Sequence, residues 1–87
     1  MTIRIEFFGI PRKRAGIAQL EVEASSLCGA FEAIAIQVPG WAEACLSGKQ
    51  LRRGLIANLN GQRFISDPDT VLESGDSVLI LSADVGG

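Results

Sequence analysis

Hydrophobic and polar residues alternate at the start of the chain in the way that is typical of a half-buried β-strand. Over residues 2–8, apolar side chains fall on one face and charged side chains on the other. Residues 17–23 repeat the alternation, with Leu20 and Val22 on the apolar face. The segment between them, residues 9–16, begins and ends with glycine, which favours a turn. The pattern therefore predicts a hairpin of two strands.

The period of the apolar positions then changes from that of a strand to that of a helix. Ser25 or Ser26 can cap the start of a helix, and Pro39-Gly40 can end it. Between these signals one apolar stripe runs at spacings of four, three and four residues: Leu27, Phe31, Ile34 and Val38. Gly29 and several β-branched residues lower the helix propensity, so we expect packing to stabilise this helix. Residues 41–46 are expected to form a further short helical turn.

The second half of the chain predicts three more strands. Residues 55–60 form an apolar strand, and Asn60-Gly61 is a strong signal for a two-residue hairpin turn. Residues 63–65 return as a short strand, Val71-Leu72 is expected to make a brief helical turn, and residues 77–82 form the last strand. This order predicts an α+β fold in which one main helix covers one face of a mixed sheet of four or five strands.

The last strand leaves the other face of the sheet to be explained. It is apolar at four consecutive positions: Val78, Leu79, Ile80 and Leu81. A strand that is apolar on both faces should be covered on both faces, and one helix covers only one. Either loops shield the second face, or that face is a docking patch for a larger partner. We take Leu79 and Leu81 as the candidates for the docking patch.

Composition narrows the class of protein. A chain of 87 residues with 47% hydrophobic residues is one domain that can build a core without metal or disulfide staples. A net charge of -2 argues against nucleic acid as the main partner, and the basic clusters Arg12-Lys13-Arg14 and Arg52-Arg53 are interpreted as solvated loops. No apolar run is long enough to span a bilayer, and the first residues do not resemble a signal peptide. We therefore expect a cytoplasmic protein with no membrane partner.

The inventory of side chains argues against an enzyme that works alone. Histidine and tyrosine are absent, which removes the commonest general base and the commonest metal ligand. Cys28 and Cys45 are far apart and lie among apolar residues, which favours buried thiols over redox chemistry. Two thiols are also too few for an iron–sulfur cluster held by four. We expect neither a bound cofactor nor a bound metal.

The end of the chain carries the feature with the most chemical content. Residues 72–81 contain an acidic turn with Gly75-Asp76 and then a hydrophobic strand, and a short tail ends in Val85-Gly86-Gly87. This ending resembles that of the MoaD/ThiS-type sulfur carriers, a ubiquitin-like family that includes the small subunit of molybdopterin synthase. The Asn60-Gly61 turn and the hairpin–helix opening match the layout of the same family.

The resemblance covers essentially the whole chain and implies a ubiquitin-like β-grasp fold. It divides the chain into a β-grasp domain over residues 1–82 and a flexible C-terminal tail, residues 83–87, that ends in Gly-Gly. Extended backbone spans roughly 3.4 Å per residue, so a tail of this length reaches at most about 17 Å. That reach allows the tail to leave the domain and enter the active site of a partner.

The resemblance also implies a reactive group, which is the C-terminal carboxylate of Gly87, with Gly86 beside it. An E1-like adenylating enzyme would use ATP to form an acyl-adenylate there, and a sulfur donor would convert the adenylate to a thiocarboxylate for a sulfur-accepting synthase subunit. Glycine suits a narrow channel because it has no side chain to clash. In this scheme Ala83, Asp84 and Val85 contact the partner together with the docking patch.

The destination of the sulfur and the class of product stay open. The resemblance favours molybdopterin synthesis, with thiazole or cysteine synthesis as alternatives. Two departures leave the pathway open: Ser82-Ala83 stands where the molybdopterin type usually carries prolines, and the chain is longer than the typical thiazole-pathway carrier. A second class is a ubiquitin-like modifier whose Gly87 is joined to lysines of other proteins. Both use the same activation. A third is a non-catalytic β-grasp interaction module with an incidental tail.

Overall fold

The computed structural model describes residues 1–83. The four residues that follow, Asp84, Val85, Gly86 and Gly87, lie outside the described part of the chain. The strands are β1 (Thr2–Phe7), β2 (Gln19–Glu23), β3 (Leu46–Ser47), β4 (Gln50–Leu51), β5 (Leu55–Leu59), β6 (Arg63–Ile65) and β7 (Ser77–Ser82). The helices are α1 (Ile10–Ala15), α2 (Leu27–Gln37) and α3 (Pro39–Cys45).

Five of the strands form one mixed sheet in the order β2-β1-β7-β5-β6. The last strand in sequence, β7, lies at the centre, parallel to β1 and antiparallel to β5. The outer pairs β1–β2 and β5–β6 are antiparallel hairpins. The prediction of an α+β fold with a mixed sheet of four or five strands is confirmed. A separate two-stranded hairpin, β3–β4, was not predicted.

The inner face of the sheet is built by the alternation seen in the sequence. Ile5 lies opposite Leu20 on β2 and opposite Val78 on β7, so that these three side chains share one face. Ile5 and Val78 are completely buried. Burying an aliphatic side chain of this size contributes about 1.5–3 kcal/mol. The helix α2 packs its own buried residues against this face: Leu27, Ala30, Phe31 and Ile34.

The start of α2 shows which serine is the cap. The side chain of Ser26, with extended backbone, accepts a hydrogen bond from the backbone N–H of Gly29 at 3.1 Å. A Cβ atom at Gly29 would lie 3.1 Å from the same Ser26 oxygen. The glycine that weakens the helix by propensity therefore makes room for the hydrogen bond that caps it.

Trp41 occupies the centre of the core on α3. Its ring lies between Phe7 on β1, at 5.8 Å between centroids, and Phe31 on α2, at 6.1 Å, both in tilted arrangements. The indole is fully buried. The expected helical turn over residues 41–46 is thus present, and it begins at Pro39, because proline is well suited to a first helical position.

The segment between the first two strands differs from the prediction. Residues 9–16 were expected to be a turn, and most of them form the short helix α1 instead. Gly9 and Gly16 flank it at φ of 70° and 76°, and Pro11 sits in its first turn and is buried. A helix of six residues has no apolar period that a sequence pattern can reveal, and its packing stabilises it. The second strand accordingly begins at Gln19 rather than at residue 17.

The expected helical turn at Val71-Leu72 is also wrong. Val71 forms an antiparallel bridge with Ser26, and the N–H of Leu72 donates to the carbonyl of Ser25 at 2.9 Å. Leu72 is completely buried. An extended connection, which fastens the loop to the start of α2, places this leucine in the core.

Candidate functional site

The two faces of β7 have different environments. Val78 and Ile80 are completely buried in the core, while Leu79 and Leu81 point to the opposite, outer face and are half-buried. The structure therefore places the two leucines predicted to contact a partner on the face away from α2 and α3. Their role in binding stays a prediction.

The neighbouring strands extend this outer face. Leu81 lies opposite Ile56 on β5, and Asn58 lies between Leu79 on β7 and Phe64 on β6. Phe64 is 65% exposed, which is unusual for a phenylalanine in a strand. We call the four apolar residues of this face the outer patch: Ile56, Phe64, Leu79 and Leu81. An exposed apolar surface of this kind marks a site of interaction more often than a random scatter of hydrophobic residues does.

A polar atom without a partner lies inside the outer patch. Within residues 1–83, the side-chain oxygen Oδ1 of Asn58 is buried and accepts no hydrogen bond. An unsatisfied acceptor costs stability, and a donor from a docked protein would satisfy it. Sequence reasoning missed Asn58. The available signal was a polar residue in the middle of an otherwise apolar strand, Leu55–Leu59.

The end of β7 is bonded to β5 and its preceding loop on one side and lies close to Gly9 on the other. Ser82 pairs with Leu55, and the N–H of Ala83 donates to the carbonyl of Gly54 at 2.7 Å. On the other side Gly9, with φ of 70°, comes so close that a Cβ there would lie 3.4 Å from the Ser82 oxygen. We call Ser82 and Ala83 the tail root. The tail therefore starts from a defined point at one end of the sheet.

Of the predicted reactive and tail residues, the structure describes only Ala83. Ala83 is exposed at the tail root. Asp84, Val85, Gly86 and Gly87 lie outside the described residues, so their predicted roles remain predictions.

The opposite end of the sheet carries the Gly75-Asp76 turn. The Asp76 carboxylate accepts hydrogen bonds from the Asn60 side chain at 3.0 Å and from the Glu73 N–H at 2.8 Å. These two bonds, the one from Asn60 first, hold the pKa of Asp76 below its ordinary value. Asp76 thus ties the turn before β7 to the hairpin turn after β5, which gives this part of the terminal motif a structural role.

The two cysteines are free thiols in different surroundings. Cys45 is completely buried, and burial raises the pKa of its thiol, although the charges of Arg14 and Arg52 act in the opposite direction. Cys28 is half-buried near the start of α2. Among residues 1–83, no three side chains that could ligate a metal come together. None of the helices in this part of the chain is long and apolar enough to span a membrane.

A central last strand, parallel to the first, in a mixed sheet that packs α2 on one face is the arrangement of the ubiquitin-like β-grasp fold, and this chain has that fold. SAMP1 from Haloferax volcanii superimposes with a TM-score of 0.85 over 100% of both chains, at 15% identity. A chain of the BexX/CysO complex from Amycolatopsis orientalis gives a TM-score of 0.82 at 17% identity, over 98% of this chain and 99% of that one.

A third similar structure comes from Pyrococcus furiosus and is assigned as subunit 1 of a molybdopterin converting factor. Its TM-score is 0.75 at 21% identity, over 94% of this chain and 97% of that chain. No model of a known protein family and no curated protein sequence matches this chain. The three superpositions confirm the resemblance to the MoaD/ThiS-type carriers at the level of the fold.

Proposed function

We propose that this protein is a cytoplasmic sulfur carrier whose C-terminal glycine, Gly87, is activated by an E1-like enzyme and converted to a thiocarboxylate. It works with partner enzymes and is not itself an enzyme. The observation that carries the proposal is the course of β7. This central strand leads directly from the half-buried Leu79 and Leu81 of the outer patch to the tail root, and the sequence then ends in Gly86-Gly87.

The chemistry needs only the main chain of this protein. A carboxylate oxygen of Gly87 attacks the α-phosphorus of ATP in the partner's active site, and pyrophosphate leaves. A hydrosulfide sulfur then attacks the carbonyl carbon, AMP leaves with the displaced oxygen, and loss of the proton on sulfur gives the thiocarboxylate. Glycine at the last two positions lets the backbone pass through a narrow channel. The absence of histidine is compatible with this role, because no side chain of the carrier has to transfer a proton.

The outer patch has a defined part in this proposal. A tail of five residues provides little surface, so we infer that the partner also docks on the apolar face beside β7. Asn58 would accept a hydrogen bond from that partner, because its Oδ1 accepts none within residues 1–83. The BexX/CysO complex shows that a chain of the same fold occurs together with another protein, which supports a partnered role.

Molybdopterin synthesis is the pathway that we favour for the sulfur. The support is the fold shared with the Pyrococcus furiosus protein assigned as a molybdopterin converting factor subunit. Thiazole and cysteine synthesis are the alternatives. Supplying the thiocarboxylate form to a molybdopterin synthase large subunit, and assaying conversion of its substrate, distinguishes molybdopterin synthesis from these pathways.

Intact-mass measurement of the protein purified from its own host tests the chemistry. The expected result is a species heavier by the difference between sulfur and oxygen, located at Gly87 by fragmentation. The same spectrum checks that Gly87 is the last residue of the mature protein, which the proposal requires. A terminal carboxylate alone, in cells that are actively making the sulfur product, would contradict the proposal.

A one-residue extension tests the need for a free Gly87 carboxylate. Adding alanine after Gly87 should abolish complementation of a deletion strain. The matched control inserts one alanine after Gly48, in the exposed turn between β3 and β4, and should complement. Complementation by the extended protein would show that the carboxylate is not the reactive group, which is the behaviour of a plain interaction module.

A protein modifier is the second candidate, and a specific observation favours it. The similar chain from Haloferax volcanii is a small archaeal modifier protein. A modifier would form an isopeptide bond between Gly87 and lysines of other proteins. Tryptic peptides that carry a residual C-terminal fragment of this chain on lysine would establish that activity, and their absence beside an abundant thiocarboxylate would exclude it.

A further inference from the structure

Most of the cations of this protein lie in two short exposed segments. Arg12, Lys13 and Arg14 are on α1, and Arg52 and Arg53 are in the loop between β4 and β5. All five side chains are exposed. Within residues 1–83 the one ion pair joins the N-terminal ammonium to Glu23, so none of the five cations lies within 4.0 Å of a carboxylate in that part of the chain.

The fold brings the two segments together on α3. The carbonyl of Arg14 lies 3.9 Å from the position that a Cβ of Gly40 would take. On the other side, the N–H of Arg52 donates to the carbonyl of Cys45 at 2.8 Å, and its guanidinium donates to the carbonyl of Glu43 at 3.2 Å. Both segments are therefore anchored on the same seven-residue helix, although about forty residues separate them in sequence.

The same two segments flank the tail root. The helix α1, which carries the first segment, begins immediately after Gly9, and Gly9 lies against Ser82. The second segment is followed by Gly54, whose carbonyl accepts the N–H of Ala83 at 2.7 Å. We call the five cations the basic collar: Arg12, Lys13, Arg14, Arg52 and Arg53. Whatever receives the tail must approach this collar closely.

The far end of the sheet has the opposite charge. Asp76 precedes β7, Glu73 lies in the same turn, and Asp67 and Asp69 lie in the loop before it. The small net charge of -2 thus combines five cations beside the tail root with four carboxylates in the loop and turn before β7, near which Arg4 and Arg63 also lie. Such a separation of charge orients a protein as it approaches a charged partner.

We propose that the basic collar is an electrostatic docking surface for an acidic protein surface that surrounds the channel receiving the tail. This inference rests on the proposed function in one respect, which is that a partner binds the tail. A protein is the occupant because both cationic segments adjoin the point where the tail starts, so a partner surface that receives the tail also meets the collar.

The test reverses the charge of collar side chains that do not hold the fold together by a hydrogen bond. Arg12→Glu and Arg53→Glu are suitable, since the Arg52 guanidinium holds the Glu43 carbonyl. Arg63→Glu is the matched control. It reverses one charge, as each of the two substitutions does by itself, and lies on β6 at the end of the sheet near Asp76. Thermal unfolding first establishes that the two single variants, the double variant and the control all fold.

The readout is ATP–pyrophosphate exchange catalysed by the adenylating enzyme. This enzyme is purified from the same organism by following the exchange activity that requires this chain. For Arg12→Glu with Arg53→Glu, we expect KM for the carrier to rise at least about tenfold at low salt with kcat unchanged, because steering changes encounter and not chemistry. Raising the salt from about 50 to 500 mM should raise KM of the native protein and remove most of the difference. The Arg63→Glu control should stay within about twofold of the native protein.

The outcomes separate this inference from the proposed function. If no fraction of the organism shows exchange that depends on this chain, the proposed function fails and the inference with it. If exchange occurs but KM of the double variant stays within about twofold of the native value, the collar proposal alone is overturned. Binding of a labelled single-stranded oligonucleotide or of phosphatidylglycerol vesicles that is lost in the double variant, with KM unchanged, would also overturn it.

Discussion

The side chains of Asn60 and Asp76 bind each other across two turns, with Asn60 Nδ2 donating to Asp76 Oδ1 at 3.0 Å. Asn60 Oδ1 accepts the N–H of Ser77 at 2.8 Å, and the Asn60 N–H donates to the Ser77 carbonyl. Asn60 adopts a positive φ of 56°, which asparagine tolerates better than most residues do. The hairpin turn after β5 and the acidic turn before β7 therefore form one hydrogen-bonded unit.

Replacing Asp76 should make the protein less stable near neutral pH. The folded-state pKa of Asp76 lies below its ordinary value of 3.8, so its contribution is complete above that value and is lost as the pH falls through the lower, folded pKa. We expect Asp76→Asn to reduce the free energy of unfolding by about 1 kcal/mol at pH 7, since the group is only partly buried. The difference from the native protein should shrink at acid pH. Urea unfolding at several pH values measures it.

Asp69→Asn is the matched control for the acidic turn. It removes the same charge from an exposed position in the neighbouring loop. Its unfolding free energy should stay close to the native value at pH 7. Equal effects of the two substitutions would mean that net charge, and not the hydrogen bonds to Asp76, determines the pH dependence.

A charge in the outer patch should weaken partner binding more than stability. Leu81→Glu places a carboxylate on the half-buried outer face, where free protein can leave it solvated but a docked partner cannot. We expect a loss of about 1 kcal/mol in unfolding free energy and a rise of more than about tenfold in KM for exchange. Ile36→Glu, at a residue of α2 that is 83% exposed, is the control and should change neither. A Leu81→Glu protein with native KM would remove the outer patch from the partner interface.

The two asparagines of the chain should respond oppositely to the same substitution. Asn58→Leu removes the unsatisfied Oδ1 from the apolar face, so we expect the free energy of unfolding to rise by about 1 kcal/mol. Asn60→Leu removes the two side-chain hydrogen bonds to Ser77 and Asp76 and puts leucine at a positive φ, and should cost about 2 kcal/mol or more. Chemical denaturation measures both. Destabilisation by Asn58→Leu would mean that this oxygen is satisfied in the folded protein.

The two thiols should differ in reactivity towards an aromatic disulfide reagent. Cys28 is half-buried and should react in the native protein, while Cys45 is completely buried with a raised pKa and should react only after unfolding. Titration should therefore show one accessible thiol in buffer and two in denaturant. Cys28→Ser should abolish the native reaction. Equal rates for both thiols would contradict the buried position of Cys45.

The outer patch shows why the sequence left one question open. Val78 and Ile80 alternate with Leu79 and Leu81, and either pair could have faced the core. The register with Ile5 on β1 makes the decision, because it aligns Val78 with the inner face. Pairing between strands is a long-range property, so a one-residue shift that a local pattern cannot detect would have exchanged the two faces.

The basic collar could not be predicted from the sequence for the same reason, which is that it depends on contacts between distant residues. In the sequence its two parts are separate short clusters that are indistinguishable from solvated loops. Only the packing of α1 on α3, and the hydrogen bonds of the Arg52 loop to the end of α3, bring them to one place. The helix α1 itself was missed, since its stability comes from the burial of Pro11 and not from a period of its own.

The sequence by itself determined the five strands of the main sheet, the main helix and the fold class, because the periods of two and of 3.6 residues are local consequences of backbone geometry. It also supplied Gly86-Gly87, on which the proposed chemistry depends, and a lack of histidine with which that chemistry is compatible. The tertiary structure alone decided which leucines face outward, where Asn58 lies and which cations surround the tail root. These are contacts between residues that are distant in the chain, and they exist only once strand register and helix packing are complete.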